Sequence, residues 1–402
     1  MQKGLGQLAL LSDSPERQRQ ELEFQNASGA VLQAVKGFGA PETGHAYVRA
    51  RELWEQLGSP SEFLGVPFGQ SGYYMMRGEL DLALRLDEDL LRLSRQRNDS
   101  AGIVLGHVAC GRDLMYAGRF GSSRSHLEKA LALFDPISHP SLVHQAGIYP
   151  HVFTQAILGY VLFFLGYSDQ ALVQSKAAIT GARRLGHPPS LAVTLGCGTM
   201  LLLFVKNNAA LGERVDQMIA IATEQDFAFW RAYGMICCGW IKVKNGDGAE
   251  GISLLRTGLA AYRATGGETY MPHHIDLLAR ACEIAGQLDE PVTLLDEALQ
   301  IVERTGERWY EAELYRHKGQ LLLRQGHIEV AEELYRKALS IAKEQEAKLW
   351  ELRAAASLTR LCRDQGRRAE ARDLLAPVYG WFTEGFGTRD LKEARELLDQ
   401  LS

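Results

Sequence analysis

A glycine-centred phrase returns along this chain about every 40 residues, and that period constrains the fold more than any other feature. The phrases are MRGELDLAL (76–84), YAGRFGSSR (116–124), FLGYSDQAL (164–172), VKNNAALGE (205–213), VKNGDGAEG (243–251), IAGQLDEPV (284–292), LRQGHIEVA (323–331) and CRDQGRRAEA (362–371). Their turn residues are Gly78, Gly118, Gly166, Asn207, Gly246, Gly286, Gly326 and Gly366, spaced 40, 48, 41, 39, 40, 40 and 40 apart; Gly37 stands 41 before the first. A unit of this length cannot bury its apolar face alone, so nine of them are expected to stack on one another.

Each turn divides two helical patterns. Before Gly326 runs YEAELYRHKGQLLLRQ and after it EVAEELYRKALSIAKEQ, with apolar residues at helical rather than strand spacing. Gly and Asn tolerate the left-handed end of a helix. A second breaker closes most units, at Leu57-Gly58, Asn98-Asp99, Leu185-Gly186, Thr265-Gly266 and Thr305-Gly306. The chain therefore reads as all-α, built of helix–turn–helix units.

Small residues hold fixed offsets around the turns. Gly111, Gly159, Gly239, Ala279 and Gly319 stand seven before; Ala83, Ser123, Ala171, Gly251, Ala331 and Ala371 five after; Ala130, Ala178, Gly258, Ala298 and Ala338 twelve after. Small side chains there let neighbouring helices approach closely. This pattern resembles the tetratricopeptide repeat, which implies a right-handed superhelical solenoid of about nine repeats. Its period exceeds the usual ~34 residues, so each helix is expected to run nearly one turn longer.

Three places break the rhythm. The 48-residue spacing puts an insertion at 133–150, where Pro136, Pro140 and Pro150 forbid a continuous helix. Pro67 is expected to kink the first helix of the second unit or delay its start, and Pro377 to bend or end the last second-helix early. Thr388 is read as the N-cap of a terminal helix whose Leu391, Ala394, Leu397, Leu398 and Leu401 form one apolar stripe. The expected organisation is residues 1–19 as the remnant of a preceding repeat or an N-terminal helix, 20–385 as the solenoid, and 386–402 as a capping helix. KGLGQLALL (3–11) reads as half of a hairpin, so the chain is expected to be the rear section of a longer protein.

Composition narrows the function classes. A net charge of −5, with 46% hydrophobic and 23% charged residues, fits a soluble globular chain and not a nucleic-acid-binding surface. The apolar run around YVLFFLG (160–166) is interrupted by Gln155 and is too short to span a bilayer. With no signal-peptide pattern, a cytoplasmic location is expected, without direct nucleic-acid or membrane contact. The cysteines at 110, 197, 237, 238, 282 and 362 include no C-x-x-C pair and read as buried apolar residues. His273 and Asp276 lie at i, i+3, and His139, His144 and His151 lie in or beside the insertion, yet no recognisable metal-ligand motif accompanies them. Neither a phosphate-binding G-x-x-x-x-G-K-[ST] loop nor a G-x-S-x-G elbow occurs. No cofactor, metal or enzymatic activity is expected of this chain.

Several longer phrases are more specific: PERQRQELEFQNASGAVL, YVRARELWEQLG, ERTGERWYEAELYRHKGQLLLRQG and LWELRAAASLTRLCRDQGRRAEARDLLAPVYGWFTEGFGTRDLKEARELL. In these the chain resembles the C-terminal helical region of bacterial predicted STAND-type (signal-transduction) ATPases, often fused to class III adenylate/guanylate cyclase domains. The resemblance implies a regulatory part, with the catalytic domains elsewhere.

In a tetratricopeptide-like solenoid the first helices line the concave face, and residues six, three and two before the turn point inward. Among those positions, ligand or peptide contact is expected of Met75 and Met76 in unit two; Arg112, Met115 and Tyr116 in unit three; Tyr160, Phe163 and Phe164 in unit four; Phe204 in unit five; and Trp240 in unit six. Units seven to nine add Arg280, Gln320, Arg324 and Arg360. The wall is thus aromatic and Met-rich in the middle and charged toward the C-terminus. Two uses follow: a groove for a protein, a peptide or a neighbouring domain of the same polypeptide, or an apolar pocket around Tyr116, Tyr160, Phe164, Phe204 and Trp240 for a small-molecule inducer. An open groove favours the first and an enclosed pocket the second.

Overall fold

In a computed structural model, residues 6–8, 12–135, 139, 142–287 and 289–401 are described, and among them twenty α-helices and no strand occur. Unit one pairs α1 (Pro15–Val35) with α2 (Pro41–Gln56); unit two pairs α3 (Gly65–Met76) with α4 (Leu80–Gln96); unit three pairs α5 (Ser100–Tyr116) with α6 (Phe120–Leu133). A short α7 (Leu142–Ala146) occupies the insertion. Then come α8 (Pro150–Phe164) with α9 (Ser168–Leu185), α10 (Pro188–Phe204) with α11 (Asn208–Glu224), and α12 (Ala228–Lys244) with α13 (Gly248–Ala264). Units seven to nine are α14 (Met271–Ile284) with α15 (Asp289–Thr305), α16 (Glu311–Arg324) with α17 (Ile328–Glu344), and α18 (Lys348–Asp364) with α19 (Arg368–Gly380); α20 (Arg389–Asp399) follows.

The small-residue offsets do what close packing requires. A Cβ on Gly239 would lie 2.8 Å from the Gly251 carbonyl oxygen, and one on Gly111 would lie 2.7 Å from the Leu127 side chain. The turn glycines all hold positive φ, but in unit five that conformation belongs to Lys206 (φ 58). Asn207 sits at φ −91 and caps α11, its side chain accepting from the Ala210 amide. Counted through Lys206, every spacing after the insertion is 40. Asn is as good an N-cap as it is a left-handed residue; capping won, leaving a lysine in a conformation costing about 1–2 kcal/mol.

The prolines act as expected. Pro67 lies near the start of α3, and α19, with Pro377 inside it, has 13 residues where α17 has 17. Thr388 does stand at the N-cap of α20, but its hydroxyl donates to the Gly385 carbonyl and makes no cap bond. Helix α1 begins inside the segment read as a remnant, and most of KGLGQLALL, with Pro136, Pro140 and the His144 side chain, lies outside the described residues. No described helix is long and apolar enough to cross a membrane.

The solenoid coils back onto itself. The amides of Glu268 and Thr269, ahead of α14, donate to the Met76 carbonyl at the end of α3 (2.8 and 3.3 Å). One unit further on, Arg308 and Trp309 donate to the Tyr116 carbonyl (2.8 and 3.2 Å). Each contact therefore joins unit n to unit n+5. The loop at Gly39 meets Gly266 so closely that a Cβ on Gly39 would come 2.3 Å from the Gly266 oxygen. At the far end, Glu384 accepts from the first amides of α9, those of Asp169 and Gln170 (3.0 and 3.1 Å). Successive superhelical turns thus meet along a seam, and the main apolar core lies inside it, running from unit two to unit nine.

Candidate functional site: the inner wall

Most of the residues expected on the concave face are buried where the seam closes. Met75, Met76, Arg112, Met115, Tyr116, Tyr160, Phe163, Phe164 and Phe204 are each 5% exposed or less. Trp240, Arg280, Gln320 and Arg360 are half-buried and Arg324 is exposed. The aromatic stretch is therefore core and not the surface of an open groove. Its cover comes from units eight and nine: Phe164 packs 5.5 Å from Trp309 and 5.3 Å from Trp350, while Phe204 stacks on Phe163 at 5.7 Å and faces Tyr310 at 6.3 Å. Each such ring pair stabilises by about 0.5–1.5 kcal/mol beyond the area it buries. Trp309 and Trp350 are fully buried, and their 41-residue spacing, one just ahead of α16 and the other in the first turn of α18, carries the signal in the sequence.

The charged end of the wall is self-paired. Asp276 accepts from Arg280 (2.7 Å), Tyr310 (2.6 Å) and the buried His317 ring (2.5 Å), whose other nitrogen faces Glu283 at 3.0 Å. Glu313 pairs with Arg316 and Arg353, and Arg353 reaches both the Phe204 carbonyl (2.8 Å) and Asp390 (2.7 Å), which also holds Lys206 (2.7 Å). Arg324 and Arg360 lean on Glu283 and Glu393. Burial alone would raise the Asp276, Glu313 and Asp390 carboxyls; their cationic neighbours hold all three below the ordinary range.

Two small cavities remain on the axis. One of about 50 Å³ is bounded by Met75, Met76, Arg112 and Tyr116; the other, about 20 Å³, by Tyr160, Met200, Tyr233 and His274. Cys197, Phe229, Trp230 and Tyr270 line both. Of the five residues expected around an inducer, Tyr116 and Tyr160 reach these cavities, whereas Phe164, Phe204 and Trp240 line neither. Arg112 donates to Asp113 (2.5 and 3.0 Å) and Ser71 (2.7 Å), and Ser71 hydrogen-bonds Asp87. Burial, with Asp113 beside it, raises the Asp87 carboxyl well above the ordinary range.

A wider cleft of about 1020 Å³ lies on the seam's outer side, where Leu80 and Phe120 begin second helices and Thr305 and Glu344 end them. Its rim mixes Asp81, Glu303 and Glu346 with Arg85, Arg119 and Lys337. Among the described residues no group of three or more His, Cys, Asp or Glu could hold a metal.

This architecture is an all-α, tetratricopeptide-like solenoid. A tetratricopeptide-repeat profile matches residues 268–344. The structure of a Rap protein complexed with competence and sporulation factor superposes with a TM-score of 0.60 at 12% identity, covering 97% of this chain and all of that one. The Cut9–Hcn1 hetero-tetramer of the APC/C gives 0.54 at 14% identity over 83% of this chain and 54% of that one. The Rap conjugation gene regulator of plasmid pLS20, in complex with the Phr* peptide, gives 0.53 at 12% over 97% of each. In sequence, an uncharacterized protein of Rhizobium meliloti (strain 1021) is 22% identical over 359 residues, which are 87% of this chain and 34% of that protein. The chain thus spans about a third of the length of the curated relative it matches.

Proposed function

We propose that this chain is a non-enzymatic protein- or peptide-interaction and regulatory module, the sensor or scaffold part of a larger bacterial signalling ATPase or cyclase. The observation that carries the regulatory reading is the seam. Its contacts combine backbone hydrogen bonds and ion pairs, such as Met76 with Glu268 and Lys206 with Asp390, with the rings of Trp309 and Trp350 on Phe164 and Phe204. A partner that favours an open or closed solenoid shifts the balance by its difference in affinity for the two shapes. Two solved relatives in fold carry a bound factor or peptide, which supports a peptide-responsive role. The greater length of the Rhizobium relative leaves room for output domains.

A second reading, a small-molecule sensor, is favoured by the closed wall: the aromatic stripe encloses cavities instead of forming an open groove. The regulatory reading is tested with a peptide selected by display against the purified chain. Its affinity for a seam-weakened variant, Glu384→Gln with Asp390→Asn, is expected to differ about 5- to 150-fold from that for the wild type. A failure to select any binder, or equal affinity for both forms, would count against it.

A further inference from the structure

We propose that the two axial cavities form one binding site for a small, uncharged, mainly apolar molecule bearing a carbonyl or hydroxyl oxygen, held by Arg112 at one end and by Tyr233 and His274 at the other. The proposal rests on the sensing reading above and names the ligand class.

Two buried polar groups line this space without a nitrogen or oxygen partner among the described residues, and a buried guanidinium stands beside it. Arg112 is 4% exposed; its Nε and Nη2 are engaged, and its Nη1 stands 3.2 Å from where a Cβ on Gly72 would lie. The Tyr233 hydroxyl and His274 Nε2, on residues 3% and 0% exposed, have no nitrogen or oxygen partner among the described residues. The Cys237 thiol beside the Tyr233 hydroxyl is only a weak hydrogen-bond partner. A buried polar group left unpaired is costly, so two around one space mark a place where a ligand recovers lost hydrogen bonds. Tyr270, shared by both cavities, supplies an independent sign. It holds φ 70, a genuine outlier for a bulky side chain, while its hydroxyl meets that of Tyr116 at 2.5 Å.

Charge and size set the ligand class. Arg112 is already matched by Asp113, with Asp87 also 3.8 Å from its guanidinium, so a carboxylate would bring unbalanced charge into a dry interior. His274 is held neutral by burial and by His273 beside it. The larger cavity's 50 Å³ is room for roughly three or four water-sized groups. Phe38, between Gly37 (φ 119) and Gly39, lines both this cavity and a third of about 20 Å³ that Ala30 and Ala34 of α1 also line.

Three methionines in the walls, Met75, Met76 and Met200, make the site visible to methyl NMR on chain labelled at its methionine methyls. 2-Butanone and 2-butanol are expected to shift those three signals saturably at neutral pH, with propionate, the same in heavy-atom count, at least tenfold weaker. Gly72→Ala puts a methyl into the larger cavity against Arg112 alone; it is expected to abolish the shifts while leaving the melting temperature equal or higher. No saturable shift from either neutral probe, propionate binding as well as 2-butanone, or undiminished binding to Gly72→Ala would each overturn the proposal. Binding that leaves amide exchange at Glu268 and Arg308 unchanged would support the site and overturn the sensing reading. The peptide experiment above does not depend on these cavities, so the two failures are separable.

Discussion

Glu307 illustrates how much is decided by one buried atom. Its Oε1 accepts from the Tyr270 amide (2.9 Å) and the Trp309 indole (2.5 Å), whereas Oε2 has no partner among the described residues. Burial pushes its carboxyl up from 4.5 to about 7, beyond what those two donors restore. Because the folded state holds this proton more tightly than the unfolded chain, the associated stability is full below pH 4.5 and is lost as pH rises through 7. The loss amounts to roughly 3 kcal/mol. Glu307→Gln keeps the Oε1 acceptor and cannot ionise, so urea denaturation is expected to find it gaining on the wild type by up to that amount between pH 5 and pH 8. A difference independent of pH would contradict this. Asp276, Glu313 and Asp390, whose carboxyls lie below the ordinary range, act in the opposite sense at acid pH and are common to both proteins. At this scale the sequence was only partly legible. Asn207 carried two preferences, left-handed backbone and N-cap, and composition alone does not rank them; the outcome strained Lys206 instead.

Helices and their close approaches were the most legible level. Gly at the turns and Gly or Ala at fixed offsets follow directly from backbone and packing geometry, and the helices fall where those residues put them. Breakers that are neither Gly nor Asn escaped notice: Asp226 (φ 56) and Glu346 (φ 57) continue the 40-residue series of Gly186, Gly266 and Gly306. Two glycines on first helices make a matched test of the packing. Gly239→Ala drives a methyl to 2.8 Å from the Gly251 carbonyl oxygen, which is backbone and cannot step aside. It is expected to cost about 1–3 kcal/mol, read from the denaturation midpoint. Gly72→Ala, which meets only the Arg112 guanidinium, is expected to be neutral or to stabilise by up to about 1 kcal/mol. Equal effects at the two positions would mean that helix propensity, not helix approach, placed these glycines.

For the whole molecule, what the sequence did not carry is pitch. Contact between unit n and unit n+5 emerges from small rotations accumulated over five repeats, and no single residue pattern encodes it. Hence the inner wall could be read residue by residue, but not whether it faced water. Trp309 and Trp350, arriving from units eight and nine, turn Phe163, Phe164 and Phe204 from groove into core. The same closure leaves the small cavities beside Arg112 and Tyr233 as the space still open to a ligand on that axis. Small-angle X-ray scattering of the free chain tests the closed superhelix most directly. A compact chain of 402 residues has a radius of gyration of about 21–22 Å, and the closed seam predicts a value close to that. A radius several ångströms larger, with the elongated distance distribution of an open coil, would contradict it.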